Sequence, residues 1–116
     1  MHQPPNKSVK REFIFIKSDY KLIKINLSEI IFLSGLRDYT QVFLKGKQSP
    51  IITLLNLKEF ETKLHDKDFI RVHRSHIVSL GQVDWISKNE ICIGSYTIPI
   101  GNSYRKILDE AIEKNS

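Results

Sequence analysis

The densest concentration of reactive side chains lies in Phe69-Ile70-Arg71-Val72-His73-Arg74-Ser75-His76-Ile77-Val78, where two arginines, two histidines and a serine fall within six positions between apolar residues. Three chemistries use such residues. A zinc site would take His73 and His76, but no cysteine or third histidine adjoins them, and on one continuous strand the two rings point to opposite faces. A nucleophilic serine at Ser75 would need a Gly-x-Ser-x-Gly elbow or comparable support, and none surrounds it. The third chemistry is anion recognition, which suits arginine because its planar fork binds a phosphate or a guanine edge through two parallel hydrogen bonds. The plainer alternative is a strand end whose basic residues meet solvent or cap a turn.

Two further clusters carry polar side chains of the same kind. Gly35-Leu36-Arg37-Asp38-Tyr39-Thr40-Gln41 supplies Arg, Tyr, Thr and Gln, which reach base edges and phosphates. As an isolated loop it reads equally as an ordinary polar turn at Asp38. Pro99-Ile100-Gly101-Asn102-Ser103-Tyr104-Arg105-Lys106 opens a terminal helix, whose free N–H groups favour an anion. A simply capped helix start has the same sequence.

The elements that must position these clusters are mostly strands. Phe13–Ile16 and Leu22–Leu27 are separated by little more than Ser18-Asp19 and predict a hairpin. Ile30–Leu33, Tyr39–Leu44 and Pro50–Leu54 follow as short β runs broken by Ser34-Gly35 and Lys45-Gly46-Lys47. The period then changes. Leu57, Phe60 and Leu64 share a helical face, with Asn56 as cap and Glu59 completing a capping box. Phe69–Val78 returns to β, with Ile70 and Val72 on one face and Arg71 and His73 on the other. Val83–Ile86, Glu90–Ile93 and Tyr96–Ile100 are further strands. Tyr104, Ile107, Leu108, Ala111 and Ile112 stripe a final helix over Asn102–Lys114, capped by Asn102 or Ser103. The fold class is therefore mainly β: about ten short antiparallel strands in small sheets, one short central helix and one C-terminal helix. The aromatics Phe13, Phe15, Phe32, Phe60, Phe69 and Trp85 sit among apolar residues and are expected in the core.

Composition narrows the function. With 116 residues and 41% hydrophobic side chains the chain is one domain with enough apolar surface for a core. Its single cysteine, Cys92, allows no intrachain disulfide and fits a reducing, cytoplasmic setting. No run approaches the roughly 18 apolar residues of a membrane span, and no signal peptide is evident. Residues 1–10, with Pro4 and Pro5, read as a linker or an added lead-in, and 11–116 as the domain. Eighteen Lys+Arg against 13 Asp+Glu give a net charge of +5, which suits a polyanionic partner. No P-loop, dinucleotide motif or paired-carboxylate site is present, so no enzyme activity, cofactor or metal is expected. No helix-turn-helix pair is visible either.

Phe13-Ile14-Phe15-Ile16-Lys17, Ile30-Ile31-Phe32-Leu33 before the Gly35–Tyr39 loop, Phe69-Ile70-Arg71-Val72-His73-Arg74-Ser75 and Ile98-Pro99-Ile100-Gly101-Asn102-Ser103-Tyr104 resemble, in order and spacing, the LytTR DNA-binding domain. The resemblance covers about residues 11–113. It implies an elongated antiparallel β domain, the output half of a bacterial two-component response regulator, whose loops enter successive major grooves of double-stranded DNA at imperfect direct repeats. It implies an upstream receiver domain absent from this chain, and a dimer in the full-length regulator. It places Arg37, Asp38 and Tyr39 in one DNA-contacting loop, with Tyr39 at a base-contacting position. His73, Arg74 and Ser75 fall in a second, beside Arg71, with Arg74 at the base-reading place. Asn102 and Ser103 fall in a third, before Arg105. The family commonly carries arginine where this chain has Ser103. Serine lacks the bidentate fork, so Asn102 or Arg105 is expected to take over part of that role. Two other classes fit the bare pattern: a β-rich protein–protein interaction module that pairs through strand edges, and an RNA binder that stacks bases on sheet aromatics.

Overall fold

The computed structural model describes residues 12–65 and 67–116, so the linker expected over 1–10 lies outside the described residues. Among the described residues, ten strands form three antiparallel sheets, accompanied by two α-helices. Strands β1 (Phe13–Ser18) and β2 (Lys21–Asn26) make the expected hairpin, with Ser18 opposite Lys21. Strands β3 (Ile30–Leu36), β4 (Tyr39–Leu44), β5 (Ile51–Thr53), β6 (Phe69–His73) and β7 (His76–Ser79) build a central sheet in the order β5-β4-β3-β7-β6. Strands β8 (Trp85–Ile86), β9 (Glu90–Ile93) and β10 (Tyr96–Pro99) form a small third sheet.

The central sheet is apolar on both faces, which explains why β3 reads as an unbroken run, Ile30-Ile31-Phe32-Leu33, and not as an alternation. Leu33, Val42 and Ile77 face one core. There they meet Ile14, Ile16 and Ile25 of the hairpin and Leu57, Phe60 and Leu64 in and just after helix α1 (Leu57–Lys63). Phe32 and Val78, one residue along on the same strands, face a second core with Val72, Ile91, Ile93, Ile98 and Leu108 of helix α2 (Arg105–Lys114). A residue-by-residue alternation thus feeds two cores from one sheet.

Several expectations need correction. The third strand does not stop at Ser34-Gly35 but runs on to Leu36. Phe69–Val78 is two strands, because a tight turn at Arg74-Ser75 reverses the chain. The last helix is preceded by a 3-10 turn, Asn102–Tyr104, with Gly101 before it and no side-chain cap from Asn102 or Ser103. Phe15 and Trp85 are exposed, unlike Phe32 and Phe60.

The capping box at α1 forms as its sequence requires. The Asn56 N–H donates to Glu59 Oε1 at 2.7 Å and the Glu59 N–H donates to Asn56 Oδ1 at 2.8 Å. Asn56→Ala is expected to cost about 1 kcal/mol of unfolding free energy, read as a lower denaturant midpoint at constant slope. An unchanged midpoint would mean that burial of Leu57 and Phe60 alone sets this helix.

Candidate nucleic-acid interface

The antiparallel topology brings the β3–β4 turn, the β6–β7 turn and the end of β5 to one edge of the central sheet. Between Leu36 and Tyr39 the chain reverses in two residues, Arg37 and Asp38. Arg37 has φ +44°, a left-handed conformation that glycine adopts freely and arginine does not. Both turn residues are exposed, and Tyr39 opens β4 with 38% of its surface accessible.

Between His73 and His76 the chain again reverses in two residues, Arg74 and Ser75. Arg74 is exposed, and its guanidinium has no hydrogen-bond partner among the described residues. The turn itself is tightly held. The Ser75 N–H donates to His73 Nδ1 at 3.0 Å. Arg71 reaches underneath, donating from Nε to the His73 carbonyl at 3.1 Å and from its second terminal nitrogen to the Arg74 carbonyl. Its remaining arm pairs with Glu61 of α1 at 3.0 Å, and its guanidinium lies over the Tyr104 ring at 5.7 Å. Arg71 is a strut of the turn rather than a free cation.

Two backbone hydrogen bonds join the clusters. The Gly35 N–H donates to the Ser75 carbonyl at 2.8 Å, linking the first turn to the second. The Gly101 N–H donates to the Val72 carbonyl at 2.8 Å, linking the third segment to the second. Both glycines allow close approach: a Cβ at Gly35 would sit 3.1 Å from Leu57, and one at Gly101 would sit 3.2 Å from Tyr104. Asn102 and Ser103 are exposed beside this junction. Arg105 turns elsewhere, to Asp109 at 3.1 Å and the Lys88 carbonyl at 2.8 Å.

An open groove of about 750 Å³ lies between the first two turns and collects Arg37, Asp38, Tyr39, Arg71, Arg74 and Ser75. Leu54, Asn56 and Lys58, in and just before the start of α1, line it too. Sequence reasoning passed over them; the only hint was the out-facing spacing of Ile52 and Leu54 at the end of β5.

His73 and His76 are not on opposite faces. A bulge between Arg71 and His73 breaks the two-residue alternation and makes them cross-strand partners, with ring centroids 5.0 Å apart. Among the described residues no group of three His, Cys, Asp or Glu side chains could hold a metal.

Exposed basic turns at one end of a β sheet make a surface that suits a polyanion. The chain belongs to the LytTR family: the LytTr DNA-binding domain matches residues 20–113. The family is one of DNA-binding domains, not of enzymes. The fold is similar to the LytTr DNA-binding domain of a Bacillus cereus protein described as a methyl-accepting/DNA response regulator, with a TM-score of 0.74 and 21% identity over 89% of this chain and 98% of that one. A curated relative, the heme-containing CO-sensing transcriptional regulator RcoM 2 of Paraburkholderia xenovorans (strain LB400), is 37% identical over 60 residues, 52% of this chain. The match spans 22% of that relative's length. No helix of the described residues is long and apolar enough to cross a membrane.

His76 gives the edge a pH dependence. Burial pushes its pKa below the ordinary histidine value of 6.5, and the neighbouring His73 pushes the same way. The unfolded chain therefore takes up a proton near pH 6.5 while the folded chain resists it. The stability is present in full above that pH, is lost as pH falls through it, and levels off below the lowered folded value. Unfolding measured across this window should show the loss, and His76→Phe, uncharged throughout, should flatten it. An identical slope in both proteins would remove His76 as the cause.

Proposed function

We propose that this chain is the sequence-specific output domain of a bacterial response regulator acting on transcription in the cytoplasm. Its turns enter successive major grooves of double-stranded DNA at imperfect direct repeats. The observation that supports this best is the single edge on which Arg37 and Arg74 project from two turns joined by the Gly35–Ser75 hydrogen bond. Arg74 reads a guanine through its fork, and Tyr39 contacts a neighbouring base. Arg37 meets a phosphate or base, while Asp38 shapes the turn. Asn102 and Ser103 make the third contact, one turn element away. Arg71, His73 and Ser75 position Arg74, and Arg105 anchors the start of α2. A receiver domain encoded upstream governs dimerisation and so places two copies on two repeats. One domain alone binds weakly and with steep salt dependence.

Selection of duplexes from a random library at near-physiological salt tests this. The expected product is a short motif recurring as a spaced direct repeat; retention of duplex with no motif would reduce the edge to a phosphate binder. On the selected duplex Arg74→Ala should cost about 1–3 kcal/mol, with little loss on random duplex. Equal losses on both would assign Arg74 to the backbone. Arg37→Gly separates binding from folding, because glycine relieves the left-handed backbone, worth about 1 kcal/mol. Its thermal stability should hold or rise while affinity for the selected duplex falls. A fall in both would make Arg37 a structural residue.

A further inference from the structure

Around the basic turns the edge carries an apolar surface that, Tyr39 apart, the three contact segments do not use. Leu54 is 80% exposed immediately after β5. With Tyr20, Tyr39 and Ile52, all exposed, it lines a second groove beside the first, and Leu54 and Tyr39 line both. The backbone that presents Leu54 is fixed by two buried threonines, cross-strand partners Thr40 and Thr53. Thr40 Oγ1 donates to the Leu55 carbonyl at 2.7 Å. Thr53 Oγ1 donates to the Lys17 carbonyl at 2.8 Å and accepts the Leu55 N–H at 3.3 Å. Leu54 is thus held outward by its neighbours' hydrogen bonds, and little freedom is left to lose on binding.

The surroundings choose the occupant. Leu54 shares its groove with Arg37, Arg74 and Lys58 against one unpaired acid, Asp38, while Glu61 is neutralised by Arg71, so the lining keeps a positive excess. A ligand that satisfies these cations is a polyanion, and it must also offer Leu54 an apolar group. In the major groove of duplex DNA that group is the C5-methyl of thymine.

We propose that the connection Leu54–Lys58 is a fourth DNA-contacting element, in which Leu54 packs against a thymine methyl and Lys58 meets an adjacent phosphate. This rests on the DNA-binding reading above and adds a specificity determinant to it. Leu54 reads an A·T pair next to the position read by Tyr39, which lies beside it in both grooves.

The test uses the duplex selected by the unaltered chain, with each thymine replaced in turn by deoxyuridine, which removes only the methyl. At one position the replacement should weaken the unaltered chain about fourfold, the equivalent of one buried methyl group. Leu54→Ala should bind the thymine duplex weaker by a similar factor and no longer distinguish the two duplexes at that position. Lys58→Ala, checked for an unchanged melting temperature, should make the log-affinity against log-salt slope shallower by about one. A flat deoxyuridine series, a selected site without thymine on either strand, or a Leu54→Ala chain that still discriminates would each overturn the proposal. Arg74→Ala serves as the control. If it weakens binding while the methyl series is flat, the DNA-binding reading stands and the role of Leu54 falls. If no duplex is retained by the unaltered chain or by a forced dimer of it, both fall.

Discussion

The arrangement of the edge depends on the guanidinium of Arg71. Its donors reach two consecutive carbonyls near the β6–β7 turn and one carboxylate on α1, and its flat face covers the Tyr104 ring. Only arginine offers that many donors in a fixed plane, so lysine could satisfy one of these partners but not the set. The His73 carbonyl at the end of β6 is part-buried, and leaving such a group unpaired away from water costs about 1–3 kcal/mol. Arg71 therefore serves the turn, the helix and the 3-10 segment at once. The Gly35 and Gly101 backbone bonds then fasten the neighbouring segments to that turn.

Rigidity at the edge follows from the layers behind it. A sheet covered on one face by the hairpin and α1, and on the other by the small sheet and α2, cannot flex without disturbing one of its two cores. Two-residue turns at the ends of such strands have little freedom of their own. Such turns hold their side chains at fixed spacing without a helix to carry them. The left-handed Arg37 fits this scheme, since a strained non-glycine residue persists where the surrounding structure fixes it and the side chain is useful.

Much of this was legible in the sequence, for local reasons. The β1–β2 hairpin, β4 and the Asn56–Glu59 capping box are set by neighbours a few residues apart, and their periods and caps are visible in the chain. The Arg74-Ser75 reversal was not, because its only customary turn residue is Ser75, a weaker turn former than glycine, proline, asparagine or aspartate. Its bulge also shifted His73 out of the alternation used to place it. Phe15 and Trp85 misled because an apolar neighbourhood in sequence does not say which face of a two-stranded ribbon or a short edge strand is covered. Leu54 escaped notice for a different reason: only the pairing of β5 with β4 brings it beside Tyr39.

The positive charge of the chain is not evenly available. Arg71 and Arg105 each face a carboxylate, Glu61 and Asp109, and each also donates to backbone carbonyls. Arg37 and Arg74 carry no such ties among the described residues. The same residue type thus divides into arginines that build the edge and arginines that project from it. Net charge cannot make this distinction, because it sums 18 cations and 13 anions without regard to which of them are paired. Arg37, Arg74 and Lys58 are cations of the groove that no carboxylate pairs among the described residues. On such a surface a few projecting groups stand at fixed spacing, and the spacing comes from the half-buried Arg71 and its hydrogen bonds.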